Sequence, residues 1–176
     1  MILYFLRHAS AGEHFANPKK DEKRALDKEG IEQCGYVGRA LTALDVQVDM
    51  IVSSPLKRCT QTASLIGNEL GYEGKLQMDT GLRPEAGLAD FRKLLEKYAR
   101  LEAILVVGHN PNLSQFLGSV ISDSGCEASL ELKKGSVAKV EMRRSSGTLQ
   151  WCLTPKVVRT LYDTAVESSR PKTSRK

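Results

Sequence analysis

Ala103-Ile104-Leu105-Val106-Val107-Gly108-His109-Asn110-Pro111 carries the strongest indication of the fold class. Ala103 to Val107 is an unbroken apolar run of strand length. An alternating pattern would bury one face of a strand, whereas a continuous run buries both. A strand buried on both faces belongs in the interior of a sheet that has helices above and below it. The run then breaks at Gly108 into an imidazole, an amide and a proline.

Working outward from this stretch, the same alternation of strand and helix recurs. Ile2–Leu6 reads as a strand, Asp49–Ser53 as a short buried one and Lys75–Met78 as a weaker one. Gly30–Leu44 has helical spacing, with Ile31, Cys34, Val37, Leu41 and Leu44 on one side. Pro55–Leu70 reads as a helix that starts near Pro55 and stops before Gly71. Leu88–Leu101 and Pro111–Ile121 are further helices, and Gly12–Glu29 reads as a polar loop. Ser136–Met142 and Leu149–Thr154 form a hairpin joined through Ser145-Ser146-Gly147. The pattern predicts an α/β three-layer sandwich: a mainly parallel central sheet, helices on both faces and an antiparallel edge hairpin. One domain is expected over residues 1–160. Residues 161–176 are expected to form a basic tail, disordered from Ser168 onward.

The 176 residues carry a net charge of +5. Six basic and two acidic residues lie from Lys156 to the end, so that end holds +4 of the +5. The rest is nearly neutral, and no nucleic-acid partner is expected. No apolar run is long enough to span a bilayer. The N-terminus reads directly as a strand, without a basic leader or a cleavage site, so a cytoplasmic protein is expected. Cys34, Cys59, Cys126 and Cys152 form no CxxC pair. A cysteine phosphatase needs an arginine six residues after its cysteine. Those positions hold Ala40, Leu65, Leu132 and Val158. The four thiols are expected to be small buried residues.

Ligands in open α/β sheets gather where parallel strands end. Three strand ends here carry chemistry. The first ends in Arg7-His8, the second leads through Ser53-Ser54-Pro55 to Arg58, and the apolar run ends in His109. Two guanidinium groups and two imidazoles suit a phosphoryl group. Guanidinium forks match its oxygens, and an imidazole can attack phosphorus. Two arginines would repel a metal cation, and no Asp/Glu/Cys ligand set accompanies the histidines. Neither metal nor cofactor is expected. His14, alone in a polar loop, reads as a surface residue.

These segments resemble the signatures of the histidine phosphatase superfamily, which has the phosphoglycerate mutase-like fold. Leu6-Arg7-His8-Ala9 is similar to its "RHG" motif, with Ala9 in place of glycine. Ser53 to Ala63 resembles the segment that supplies a second phosphate arginine. Val107-Gly108-His109 resembles the one that supplies the second histidine. Arg24-Ala25-Leu26-Asp27-Lys28-Glu29-Gly30 is similar to the "RPLTxxG" stretch of SixA-type phosphohistidine phosphatases. Gly108 to Pro111, followed by Leu113-Ser114, also resembles that branch. The likeness spans residues 1 to about 155.

By this resemblance His8 is the phosphoryl acceptor, and Arg7 and Arg58 bind phosphoryl oxygens. His109 supplies a hydrogen bond or positive charge to the group in transfer. Asp21 matches an acidic position near the substrate, and Ala9 is expected to narrow the pocket wall. The expected reaction is metal-independent hydrolysis through phospho-His8. The expected substrate is phosphohistidine on a protein partner, such as a histidine phosphotransfer domain. A small-molecule phosphomonoesterase acting on a phosphorylated metabolite, or a non-catalytic phosphate-binding module, stay open. Glu85, in Leu82-Arg83-Pro84-Glu85, is either a general acid for ester substrates or a loop carboxylate paired with Arg83. Little chain lies between Arg58 and His109 for a lid, so an open, shallow site is expected.

Overall fold

A computed structural model describes residues 1–122, 128–143 and 146–169. Six strands form one sheet: β1 (Ile2–Arg7), β2 (Met50–Ser53), β3 (Gln77–Met78), β4 (Ala103–Gly108), β5 (Val137–Met142) and β6 (Gly147–Leu153). Their order is β3-β2-β4-β1-β5-β6. The first four are parallel, while β5 and β6 are antiparallel. The helices are α1 (Pro18–Glu22), α2 (Lys28–Ala43), α3 (Lys57–Glu69), α4 (Leu88–Lys97), α5 (Asn112–Ile121) and α6 (Pro155–Ser169). A 3₁₀ turn covers Thr80–Leu82. The three-layer α/β sandwich with an antiparallel edge pair is therefore present as expected.

Each central strand divides its side chains between two cores. Leu3 and Phe5 of β1, with Ile104 and Val106 of β4, face Phe91, Leu94, Phe116 and Leu117 of α4 and α5. Tyr4, Leu6, Leu105 and Val107 face Cys34, Val37, Leu41, Ala63 and Ile66 of α2 and α3. This period-two division is why β4 reads as a continuous apolar run. Phe91 stacks on Phe116 with ring centroids 4.6 Å apart and packs against Phe5 at 5.6 Å. Helix α3 ends into Gly71, whose φ of +64° lies in the left-handed region that glycine enters without strain.

Several local expectations change. The stretch read as a loop from Gly12 to Glu29 contains α1, capped by the Asn17 side chain. The basic C-terminal end begins with α6, so the expected boundary at residue 160 falls inside a helix. α6 docks on α2: Tyr162 lies 6.2 Å from Tyr36, and the Arg39 guanidinium sits over both rings. Arg159 of α6 also lies over Tyr36 and pairs with Asp163. Residues 170–176, Cys126 and Ser145 lie outside the described residues. Cys34 and Cys59 are buried, but Cys152, on the outermost strand β6, is exposed. No helix among the described residues is long and apolar enough to cross a membrane.

Candidate active site

The adjacency of β2, β4 and β1 brings the three motif-bearing strand ends together. Arg7 of β1 stands opposite Gly108 of β4, and Ser53 of β2 opposite Val107. The ladder extends past the strands, as His8 N donates to Gly108 O at 3.0 Å and Ser54 N to Val107 O at 2.9 Å. His8, Arg58 and His109 are delivered to one recess, where they are 6%, 4% and 2% exposed. The loop and α1 before Arg24 fold against these residues, with Arg58 Nη1 bonded to Asp21.

His8 Nδ1 donates to its neighbour's carbonyl, Ala9 O, at 2.8 Å. A carbonyl only accepts, so the proton sits on Nδ1 and the Nε2 lone pair is free. Burial pushes the His8 pKa down to about 3; the Ala9 bond opposes this, and the charges of Arg58, Arg7 and Arg24 add to it. His8 is therefore a neutral imidazole at physiological pH.

The His109 ring lies 5.1 Å from that of His8, centroid to centroid. Its Nε2 shares a 2.9 Å hydrogen bond with Ser54 Oγ, and Cys59 Sγ lies 3.4 Å from the same nitrogen. Burial lowers its pKa to about 2, with further contributions from His8, Arg58, Arg24 and Arg83. With these neighbours His109 is neutral, so of the two roles considered it fits the hydrogen bond rather than a standing charge. Burial also raises the Cys59 thiol well above its ordinary value, which keeps it un-ionised.

Arg7 comes from the end of β1 and Arg58 from the first turn of α3. Arg7 Nη1 donates to Leu132 O at 2.8 Å. Arg58 Nη1 donates to Asp21 O at 3.0 Å and to Asp21 Oδ2 at 3.2 Å. In both arginines the buried Nε has no acceptor among the described residues. Two orphaned guanidinium donors beside a neutral imidazole suit an anion with several oxygens.

Asp21 is buried, and its oxygens are occupied. Oδ1 accepts from Arg24 Nε at 2.7 Å and from Phe15 N at 3.1 Å, while Oδ2 accepts from Arg58. Burial raises its pKa, but the Arg24 and Phe15 hydrogen bonds and the nearby arginine charges outweigh this and hold it at about 2. An ionised carboxylate repels a phosphoryl group, so Asp21 holds the two arginines rather than the substrate. Arg24 is the residue that sequence reasoning left out of the site. Its Nη1 donates to Ala11 O at 2.6 Å, and its charge reaches both histidines. The available signal was its place three residues after Asp21, just past the end of α1.

The rest of the Arg24–Gly30 motif shapes the loop after His8. Asp27 caps α2 by accepting from Gly30 N at 2.7 Å, and it also accepts from Ser10 Oγ at 2.9 Å. A Cβ on Gly30 would stand 1.9 Å from Ser10 O, so only glycine permits that approach. Ala9 N donates to Thr62 Oγ1 of α3 at 3.1 Å. Ala9 itself is fully buried in the core under α2 and α3. Its methyl group packs there, which corrects the expectation that it narrows the pocket.

Glu85 pairs with Arg83, whose guanidinium also binds Glu22 of α1. The Arg83 hydrogen bond is the main cause that lowers the Glu85 pKa. Asn112 Nδ2 pins this loop by donating to the carbonyls of Arg83, Pro84 and Ala86. His14 is mostly exposed, 3.9 Å from Asp21.

A model of the histidine phosphatase superfamily (branch 1) matches residues 3–98. An uncharacterized protein of Picosynechococcus sp. is 33% identical over 153 residues, covering 85% of this chain and 89% of its own. The structure of the protein histidine phosphatase SixA complexed with tungstate is similar, with a TM-score of 0.80 at 20% identity. That match covers 90% of this chain and 99% of SixA. The alpha-ribazole phosphatase from Shigella flexneri gives 0.67 at 17% identity, covering 88% of this chain and 97% of its own. The structural likenesses bear on the fold.

Proposed function

The chain belongs to the histidine phosphatase superfamily and is a phosphatase of that superfamily, and on this premise we propose that it removes phosphate from phosphohistidine on a protein partner. The observation that carries this reading is the neutral His8, its Nδ1 proton held by Ala9 O, beside the unpartnered Nε donors of Arg7 and Arg58.

His8 Nε2 attacks phosphorus as the bond to the leaving imidazole breaks, and that bond's electron pair goes to the departing nitrogen. Arg7 and Arg58 follow the charge on the phosphoryl oxygens, and His109 offers a hydrogen bond. Water then attacks phospho-His8, the P–N bond breaks with its electron pair returning to Nε2, and both protons of the water leave on the inorganic phosphate. The arginines supply the positive charge that a metal would otherwise provide.

The leaving group separates phosphohistidine from an ester. An alkoxide needs a proton donor, whereas an imidazole protonated on its other nitrogen leaves neutral. Glu85, the acid considered from sequence, is ion-paired with its pKa lowered, so it stays ionised and holds no proton to give. This supports the phosphohistidine reading. A second reading, a small-molecule phosphomonoesterase, is favoured by the bonds of Arg24 to Ala11 O and of Arg58 to Asp21, which hold the loop and α1 close to His8, because small substrates need enclosure. A cytoplasmic setting fits the unbridged Cys34, Cys59 and Cys152.

The test is a panel with chelator present: a phosphohistidine protein, phosphoramidate, an aryl phosphate and common sugar phosphates. The expected order places the N–P substrates first. A preference for sugar phosphates supports the second reading. A denaturing alkaline quench, which preserves P–N bonds, should trap label on wild type and none on His8→Ala. Equal trapping on both removes the covalent mechanism. No trapping on either, together with no turnover in the panel, leaves a phosphate-binding module.

A further inference from the structure

We infer that a groove running from Arg7 along α5 seats the polypeptide that flanks the phosphorylated residue. This rests on the phosphohistidine reading above. The groove has a volume of about 870 Å³, and its lining includes Arg7, Asn110, Ser114, Gln115, Ser119 and Glu131. It shares Arg7 with the catalytic recess, so whatever lies in it continues from the group bound there.

The groove is preformed. Leu132 N donates to Ser114 Oγ at 3.0 Å, Ser114 Oγ donates to Asn110 Oδ1 at 3.0 Å, and Asn110 Nδ2 donates to Leu132 O at 2.9 Å. That carbonyl also accepts from Arg7. This closed circuit ties α5 to the facing segment and fixes both walls relative to the phosphate arginine.

Charge and length select the occupant. Apart from Arg7, the described lining has no cation, and it has one carboxylate, Glu131. The second phosphate or carboxylate of a small metabolite would meet no counter-charge there. A peptide backbone is neutral and alternates donors with acceptors. The Gln115 amide can answer both, and Ser119 Oγ, which donates to Phe116 O at 2.8 Å, can still accept. Helix α5 advances about 16 Å between Pro111 and Ser122 at ~1.5 Å per residue. That length matches roughly five residues of extended chain at ~3.3 Å each.

The experiment compares the free amino acid phosphohistidine with a peptide carrying phosphohistidine and about five uncharged residues on either side. The enzymes are wild type, Gln115→Trp and Ser119→Trp. Both positions are exposed and neither belongs to the catalytic machinery. In wild type the peptide should exceed the free amino acid about tenfold in kcat/KM. Each tryptophan should erase that advantage while leaving turnover of the free amino acid unchanged, which also shows that the variants are folded. A wild type indifferent to the flanking chain overturns the assignment. So do variants that keep the advantage, and variants that slow both substrates alike. Failure of wild type to hydrolyse either compound overturns the phosphohistidine reading, and the groove assignment with it.

Discussion

Asp21 and Arg58, 37 positions apart in the chain, meet at 3.2 Å between Oδ2 and Nη1. The same carboxylate holds Arg24 at 2.7 Å. One buried anion thus assembles two cations beside His8. It keeps each guanidinium in place at the cost of lowering the positive charge offered to the substrate.

Asp21→Ala should therefore damage both fold and catalysis. Removing one partner of a buried ion pair costs about 3 kcal/mol. Thermal unfolding should show that loss, and inorganic phosphate should restore part of it by occupying the exposed cations. kcat/KM should fall at least about tenfold because the arginines lose their geometry. Unchanged stability and activity would show that Arg58 and Arg24 hold their places without the carboxylate.

Glu85→Gln should change turnover of phosphoramidate and of an aryl phosphate by less than about twofold, because an ionised carboxylate gives no proton. A selective fall in aryl phosphate turnover of about a hundredfold would instead make Glu85 the general acid.

Stability should fall as the solution is acidified. The pKa values of His8 and His109 are lowered to about 3 and about 2, against 6.5 for free imidazole. Below pH 6.5 the unfolded chain takes up two protons that the folded chain refuses. The stability is complete above 6.5 and is lost as pH falls toward the folded values. The slope is up to roughly 1.4 kcal/mol per pH unit for each group. Asp21, held at about 2, adds a loss in the same direction below about pH 4. Melting temperatures from pH 7 to 5 test this. His109→Asn should flatten the slope, and an unchanged slope in that variant would exclude the histidine.

Gly30→Ala should push Ser10 away from α2, since its Cβ would stand 1.9 Å from Ser10 O. The loop after His8 would move with it, so both melting temperature and kcat should drop, by an amount equivalent to about 1–3 kcal/mol in stability. Full activity with native stability would show that the loop relaxes freely.

Ser114→Ala opens the circuit that places Leu132 O under Arg7. The expected result is a KM for phosphoramidate raised several-fold with a smaller change in kcat. Ser114→Thr, which keeps the hydroxyl, should recover most of the loss. Equal behaviour of the two variants would exclude a positioning role.

Much of this molecule was legible in local pattern. Continuous apolarity from Ala103 to Val107 required a strand covered on both faces, and period-two burial on β1 and β4 is its physical expression. Arg7, His8, Arg58 and His109 were readable because each sits at or just after a strand end, and parallel strands share an edge. Helix α6 was not readable, because what holds it is Tyr162 and Arg159 against Tyr36, a contact between residues more than a hundred positions apart.

Local pattern was enough for the layered fold and for singling out Arg7, His8, Arg58 and His109, since strand polarity and residue chemistry are local properties. Their state depends on contacts made across the fold. Burial makes both histidines neutral, Ala9 O leaves His8 Nε2 free, and Asp21 joins Arg24 to Arg58. The fold also gave Glu85 to Arg83 and put the methyl of Ala9 in the core. Desolvation and pairing depend on which distant groups share a volume, and spacing along the chain does not encode that volume.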